Sequence, residues 1–483
     1  MQITTALMDH QQAALAKLLP TRAGALFADM GTGKSLMLMA MAALRAAKWD
    51  RLVWVTPCAL RDNVVEQLRL HTDLPPGAVY RWDDKTTAER LPATARVHVV
   101  GLESMSGSAR LVSAYAALVT PNTFVAVDES SGIKGWQAKR TQRLIHMSER
   151  ARYRLVMTGT PITQGAVDLY AQMRFLSPKI LGYNSFWGFA RNHLEFETRR
   201  GADGRMHRTG RIVRIHNADY MAAKMAPYVY QVRKDECLDL PGKLFETRWC
   251  SLTPRQRQLY DQAKHEILTQ LDYSEWSPIR IFHLYTVLQS IVCGYWRRTD
   301  PQTGRRELLQ FDTQRMTVLM RTLEEISEGE HVVIWAKYHD SIDRIRAEIV
   351  GERGEGCVHP YHGEMTDAER AASLRRWRDQ GGYLLATQST GGVGLTLVEA
   401  SYSIFWADSF KYAERLQAED RTHRIGQTRR PVYITLACMD CIDIRIQAAL
   451  GRKGDALAEF QGRIEHYRTQ GLKSRAMELV QSL

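Results

Sequence analysis

The chain has 483 residues, of which 45% are hydrophobic and 24% charged, a globular composition that excludes a largely disordered polymer. Length divided by about 150 predicts roughly three structural units. Its 65 Lys and Arg against 53 Asp and Glu leave a formal charge of +12, which favours a polyanionic partner, nucleic acid first among them.

In chain order, AGALFAD (23–29) reads as a buried strand leading through a glycine turn into an apolar helix, SLMLMAMAALRAA. RLVWVTP (51–57) precedes the helical pattern ALRDNVVEQLRL, and RVHVVGLES, TFVAVDE (123–129) and YRLVMTGTP (153–161) follow as strands. Continuous apolar runs separated by amphipathic helices predict a parallel sheet covered on both faces. The rhythm returns after residue 330. HVVIWAKY leads to a helix over 339–350, CVHPYHG to one over 367–380, and YLLATQ, SYSIFWAD and RPVYITLACM follow as strands. The stretch between is mainly helical (TPRQRQLYDQAKHEILTQL, SPIRIFHLYTVLQSIVCGYW), with a hairpin at 199–214 that carries six arginines and one acid, Asp203. The expected fold is therefore α/β: two parallel-sheet lobes in tandem, 1–165 and 326–446, with a helical insertion at 166–325 and a helical tail at 447–483.

The turn after the first strand reads Ala28-Asp29-Met30-Gly31-Thr32-Gly33-Lys34-Ser35. Between a strand and a helix, such glycines let backbone N–H groups curl around phosphates, and the helix N-terminus adds a favourable dipole. Lys34 is expected to reach the β- and γ-phosphates and the Ser35 hydroxyl to ligate Mg²⁺. Ala28 stands where the general pattern has its first glycine. At the end of a later strand, Asp128 suits a metal and Glu129 a water-positioning base. Met157-Thr158-Gly159-Thr160-Pro161 ends the next strand with groups able to sense a phosphate. Further on, Arg421 and Arg424 are three apart on a helix turn and face the same way, as guanidinium groups brought to a γ-phosphate must.

Taken together, these segments resemble the Swi/Snf-like branch of superfamily 2 helicase-related ATPases, in its compact phage and bacterial form. The resemblance rests on an ordered set: LMDHQQAAL, FADMGTGKS, VTPCALRDNVVEQ, VVGLES, VDESSGIK, LVMTGTPI, VIWAKYHDSID, YHGEMTDAER, LLATQSTGGVGLTL and QAEDRTHRIGQ. It also includes RKDECLDLPGK followed by LTPRQRQLY, similar to the family's connection between lobes. The resemblance implies two RecA-like lobes with ATP and Mg²⁺ between them, moving along DNA by opening and closing. It implies that His10 and Gln11 contact adenine, that Met30, Gly31, Thr32, Gly33, Lys34 and Ser35 cradle the phosphates, and that Gln417 faces the cleft. Arg421 and Arg424 would be the arginine fingers beside Glu129 and Asp128. Segments matching Thr56-Pro57, Gly101 to Ser104, His362-Gly363 and Ser389-Thr390-Gly391-Gly392 would meet the DNA backbone. Their hydroxyls and glycine N–H groups suit phosphate tracking on duplex without sequence readout. Arg205, Arg208 and Arg211 of the hairpin would add an outer grip on phosphates.

The chain departs from the family where the D-E-A-H box reads Asp128-Glu129-Ser130-Ser131, which keeps the carboxylates and drops the histidine. Thr396 stands where an asparagine often follows Gly-Leu. The remaining length leaves no room for a chromatin-reading or nuclease domain, so a nucleosome-directed role is not expected. Cys438-Met439-Asp440-Cys441, with no second pair, reads as structural rather than metal-binding. The 15 histidines form no H-E-x-x-H or similar cluster along the sequence. Apolar stretches stay short of the roughly 20 residues a membrane span needs, the N-terminus has no secretion pattern, and seven scattered cysteines suit a reducing cytoplasm, bacterial or that of a phage-infected cell. The leading expectation is an ATP-driven translocase on duplex DNA. Its rivals are a strand-separating or branch-migrating helicase on forks or RNA, the motor subunit of a restriction or defence assembly, and an ATP-gated DNA clamp.

Overall fold

The apolar runs build two parallel sheets, one in each of two units, Met1–Asp239 and Leu240–Leu483. The computed structural model describes residues 1–161, 167–200, 206–269, 277–299, 305–391, 395–470 and 472–481.

Unit 1 begins with α1 (Asp9–Leu18), β1 (Ala23–Ala28), α2 (Lys34–Leu44), β2 (Arg51–Thr56) and α3 (Arg61–His71). Next come β3 (Val79–Arg81), β4 (Val97–Gly101), the short α4 (Ser104–Gly107), α5 (Ala109–Leu118), β5 (Thr123–Asp128), α6 (Lys139–Ser148) and β6 (Tyr153–Thr158). Helices α7 (Val167–Leu176), α8 (Pro178–Leu181) and α9 (Phe186–His193) lead to β7 (Leu194–Arg200) and β8 (Met206–Ile215). The unit closes with α10 (Ala218–Met225), β9 (Val229–Val232) and α11 (Lys234–Cys237). Seven strands pair in parallel in the order β3-β4-β2-β5-β6-β1-β9. Side chains alternate across the sheet. Leu26, Trp54, Val99 and Ala126 pack against α1, α2 and α3, whereas Phe27, Val55, Val100 and Val127 pack against α5, α6 and α7.

Unit 2 opens with β10 (Leu244–Cys250), α12 (Pro254–Thr269), α13 (Pro278–Val292) and the antiparallel pair β11 (Tyr295–Thr299) and β12 (Arg306–Gln310). Then α14 (Gln314–Glu324), β13 (His331–Ala336), α15 (His339–Arg353), β14 (Val358–Tyr361) and α16 (Asp367–Gln380) alternate. They are followed by β15 (Gly382–Thr387), α17 (Gln388–Gly391), β16 (Tyr402–Phe405), α18 (Tyr412–Thr422) and β17 (Val432–Cys438). Six strands pair in parallel in the order β10-β17-β16-β13-β15-β14. Val332, Ile334 and Ile404 face α14 and α15, and Trp335, Leu384 and Phe405 face Trp377 of α16 and Ala418 of α18. The terminal helices α19 (Ile442–Gly451), α20 (Ala456–Thr469) and α21 (Lys473–Gln481) share a separate core with α12 and α13.

The fold is thus the α/β arrangement of two parallel sheets in tandem that the sequence predicts, with two units in place of three. The stretch 166–325 is divided between them: everything through α11 packs with the first sheet, and β10 onward packs with the second. The reason lies in two strands outside the expected lobes, since β9 pairs with β1 and β10 with β17. Among the described residues, no helix is long and apolar enough to cross a membrane.

Candidate nucleotide and nucleic-acid sites

In unit 1 the turn from β1 into α2 takes the phosphate-loop shape its glycines permit. Gly31 and Gly33 have φ of 81° and 82°, left-handed values that cost an ordinary residue about 1–2 kcal/mol. A Cβ on Gly33 would also stand 2.3 Å from Nε2 of Gln11. Above the loop, His10 Nε2 lies 2.9 Å from Thr32 O, and Gln11 Nε2 donates to the same carbonyl at 3.2 Å. Tyr230 holds this start of α1 from β9, its hydroxyl donating to His10 O at 2.7 Å. Lys34 Nζ donates to the carbonyls of Ala28 (2.8 Å) and Asp29 (3.1 Å), which keeps its charge over the loop. Asp29 in turn accepts from Lys234 N at 3.0 Å. Met30 is buried, and Ser35 sits half-buried in the first turn of α2. A cavity of about 720 Å³ opens beside His10, lined by Met8, Asp9, Asp235, Glu236, Cys237, Leu238 and Asp239.

Asp128 ends β5, two strands from the loop, Glu129 follows it, and β6 between β5 and β1 brings in Gly159. A Cβ on Gly159 would lie 3.2 Å from Met30 Cγ and 3.3 Å from Met30 N, so this turn rests closely on the β1–α2 loop, and a side chain there would push the loop by a few tenths of an ångström. Glu129 has φ 46°, left-handed for a residue with a Cβ, and its N–H donates to Asp128 Oδ1 at 2.9 Å. Such strain concentrates where a side chain must be aimed. Burial, with the Glu129 charge beside it, pushes Asp128 up to about 7, partly offset by Lys34. Two carboxylates, one buried, with a hydroxyl-bearing loop nearby form an oxygen donor set that fits Mg²⁺, a hard cation that would favour the charged pair.

Sequence reasoning missed how the changed box is tied down. Ser130 is fully buried and donates to Gln172 Oε1 at 2.7 Å, while Gln172 Nε2 donates to Pro161 O (3.0 Å) and Asp168 O (2.9 Å). One α7 side chain therefore joins the acidic box to the Thr158–Pro161 turn. No local pattern marks a glutamine on an apolar helix for this task. Gln172→Ala leaves a buried hydroxyl without its acceptor and is expected to cost about 1–3 kcal/mol in urea unfolding. Removing both polar groups in Ser130→Ala with Gln172→Leu is expected to recover the larger share. A single variant as stable as wild type would contradict this bridge.

The segments expected to meet nucleic acid come together pairwise within each unit. In unit 1, Thr56 ends β2, Pro57 follows it, and Thr56 O accepts from Leu102 N at 2.8 Å. A Cβ on Gly101 would stand 2.4 Å from Cys58 Sγ and 3.2 Å from Ser104 Oγ. In unit 2, a Cβ on Gly363 would stand 3.4 Å from Thr390 Oγ1, which brings the His362-Gly363 turn beside α17, where Ser389 is exposed. Gly391 ends α17, and Gly392 lies outside the described residues.

The arginines of unit 2 converge as well. Helix α18 stops at Thr422, so Arg421 lies on it and Arg424 just beyond, yet both guanidinium groups donate to Leu395 O, at 3.3 and 3.1 Å. Arg421 also donates to Gln417 O, one turn back. Burial pushes the Arg424 guanidinium below its usual value. Arg415 fixes the helix from beneath through Asp408 (2.7 Å) and Glu419 (2.9 Å). Cys438 and Cys441 are buried, and Cys441 Sγ donates to Cys438 O at 3.3 Å beside the ion pair of Arg315 and Asp443.

The basic hairpin is an antiparallel pair in which Thr198 faces Arg208. Arg208 is exposed, its guanidinium 6.0 Å from the Phe196 ring, and Arg211 lies in β8. Arg205 lies outside the described residues. Replacing Arg205, Arg208 and Arg211 with Ala is expected to flatten the slope of log affinity against log salt by up to about 2–3 units on duplex DNA. An unchanged slope and affinity would leave the hairpin a solvated arm only.

A parallel sheet with a glycine-bent strand-to-helix loop, an acidic pair and a Thr-Gly-Thr-Pro turn, followed by a second sheet with paired arginines, is the arrangement expected of a helicase-like ATPase. The model of the SNF2-related domain matches residues 10–294, and that of the helicase conserved C-terminal domain matches 314–426. The chain belongs to the SNF2-related family. It is 25% identical over 325 residues to the chromatin structure-remodeling complex subunit snf21 of Schizosaccharomyces pombe, covering 63% of this chain and 26% of that protein. It is 22% identical to the uncharacterized ATP-dependent helicase MG018 of Mycoplasma genitalium over 67% of this chain and 29% of that one. With the mouse DNA annealing helicase and endonuclease ZRANB3 it shares 25% identity over 88% of this chain and 38% of that one. The chain thus spans well under half the length of these relatives. Among solved structures, the SWI2/SNF2 ATPase core of Sulfolobus solfataricus in complex with dsDNA aligns over 100% of this chain and 97% of that one, at 20% identity and a TM-score of 0.42.

Proposed function

We propose that the chain is an ATP-driven translocase that moves along double-stranded DNA without reading its sequence. The observation that carries this reading is the gathering of the phosphate loop, Asp128-Glu129 and the Thr158–Pro161 turn at the ends of three neighbouring strands of one sheet. Membership of the SNF2-related family and relatives named as helicases support it.

In this account Gly31, Thr32, Gly33 and Lys34 bind the phosphates and His10 and Gln11 border the base. The carboxylate-lined cavity beside His10 suits the amino edge of adenine and repels the phosphates. Ser35 and Asp128 would hold Mg²⁺, which would neutralise phosphate charge. Glu129 orients the attacking water and accepts its proton, and Arg421 and Arg424 meet the charge that develops on the γ-phosphate. Gly159, resting on Met30, and Gln172, bonded to Ser130, pass a change at the phosphate to the rest of the first sheet. Thr56, Pro57, Ser104, His362, Gly363, Ser389 and Thr390, with Gly391 and Gly392, track the DNA backbone.

The test is strand displacement. With ATP, the protein is expected to release the third strand of a triplex more readily than it unwinds a plain or forked duplex. Efficient fork unwinding without triplex release would replace this reading with a strand-separating helicase.

A further inference from the structure

Strands β13 and β14 both pair with β15, so their C-terminal ends open on the same edge of the second sheet. His339, the first residue of α15, follows β13, and His362 and Glu364 follow β14. His339 Nδ1 lies 2.7 Å from Glu364 Oε1, and the two imidazole rings are 5.0 Å apart between centroids at 49°. One nitrogen or oxygen from each of the three residues falls within 4.8 Å of the other two. Among the described residues, Nδ1 of His362 is buried and has no hydrogen-bond partner. A buried ring nitrogen without a partner is costly, and a ligand is one way to satisfy it.

We infer that His339, His362 and Glu364 bind one divalent transition-metal ion of the zinc class. Two imidazoles and a carboxylate are a borderline donor set that selects such ions over Mg²⁺ and Ca²⁺, which prefer oxygen. Ligand atoms each about 2 Å from a tetrahedral ion stand about 3.3 Å apart, so separations that reach up to 4.8 Å must close by up to about 1.5 Å. The Glu364 side chain is 73% exposed and free to make that adjustment. The ion takes the place of the hydrogen bond between His339 and Glu364. Asp343, one helical turn after His339, and the Arg370 guanidinium both act on His362 with opposite charge, so the donor geometry rather than the surrounding charge carries the site. Three protein ligands leave a fourth position for water, so the site is an exchangeable one. Occupancy ties the start of α15 to the His362-Gly363 turn. The inference rests on this geometry and stands whether or not the chain translocates on DNA.

The test is calorimetric titration of Zn²⁺, and optical titration of Co²⁺, into the full chain without nucleotide or Mg²⁺. One ion per chain is expected to bind. His339→Ala and His362→Ala should each weaken binding at least about tenfold, while His466→Ala, on α20, should not. Glu364→Gln alters an exposed side chain at nearly constant shape, and it gives the same reading if a histidine variant unfolds. Binding that is equally tight in the cluster variants, or no stoichiometric binding by wild type, would overturn the assignment.

Discussion

Lys34→Ala is expected to abolish nucleotide binding, whereas Glu129→Gln is expected to bind ATP with near wild-type affinity and lose turnover by about 10²–10⁴-fold. The contrast follows from where the two side chains stand. Lys34 holds its ammonium over the carbonyls of Ala28 and Asp29, at the mouth of a turn whose N–H groups alone carry no full positive charge. Without it, the triphosphate loses its one charge-assisted partner within the loop. Glu129 contributes no positive charge to the ground state, and its left-handed backbone is held by its own N–H bond to Asp128. Replacing its carboxylate by an amide should leave the phosphates bound and take away the proposed proton acceptor. Equilibrium binding of a fluorescent nucleotide and phosphate release, measured on the same preparations, separate the two effects. Near wild-type turnover in Glu129→Gln would remove the acidic pair from the mechanism.

Arg421→Ala and Arg424→Ala are each expected to bind ATP and to lose at least about a hundredfold in turnover. Both guanidinium groups donate to one carbonyl, that of Leu395. Burial lowers the Arg424 value, so this charge is kept at a cost, as functional arginines often are. Arg415 and its two acids make α18 a rigid mount, so removing either arginine should leave the other in place. If the pair acts as a unit, the double variant should lose little more than either single one. Normal turnover in both single variants would place these arginines outside the reaction.

The parts of the fold that read directly from the sequence are those whose strands are buried on both sides. β1, β2, β5 and β6, and β13 and β15, are near-continuous apolar runs, because a central parallel strand meets helices on both faces. The edge strands lack that signature. LFETRWC in β10 is largely exposed and reads as polar, and of the four residues of β9 only Val232 is buried, so neither carries the continuous apolar run that marks a central strand. The basic hairpin was legible because glycines and closely spaced arginines mark it locally. For the sites, the loop and the acidic pair were legible because each is contiguous in sequence. The Gln172 bridge was not, since it joins residues 42 apart through a helix that otherwise reads as core. His339 and His362 are likewise 23 residues apart and meet only because β13 and β14 flank one strand.

Steady-state ATP hydrolysis in the presence of matched duplex DNA, single-stranded DNA and RNA tests the central claim most directly. The account predicts low turnover by the protein alone, strong stimulation by duplex DNA irrespective of sequence, and weaker stimulation by the other two. Turnover that is absent under all conditions, or indifferent to nucleic acid, would contradict it.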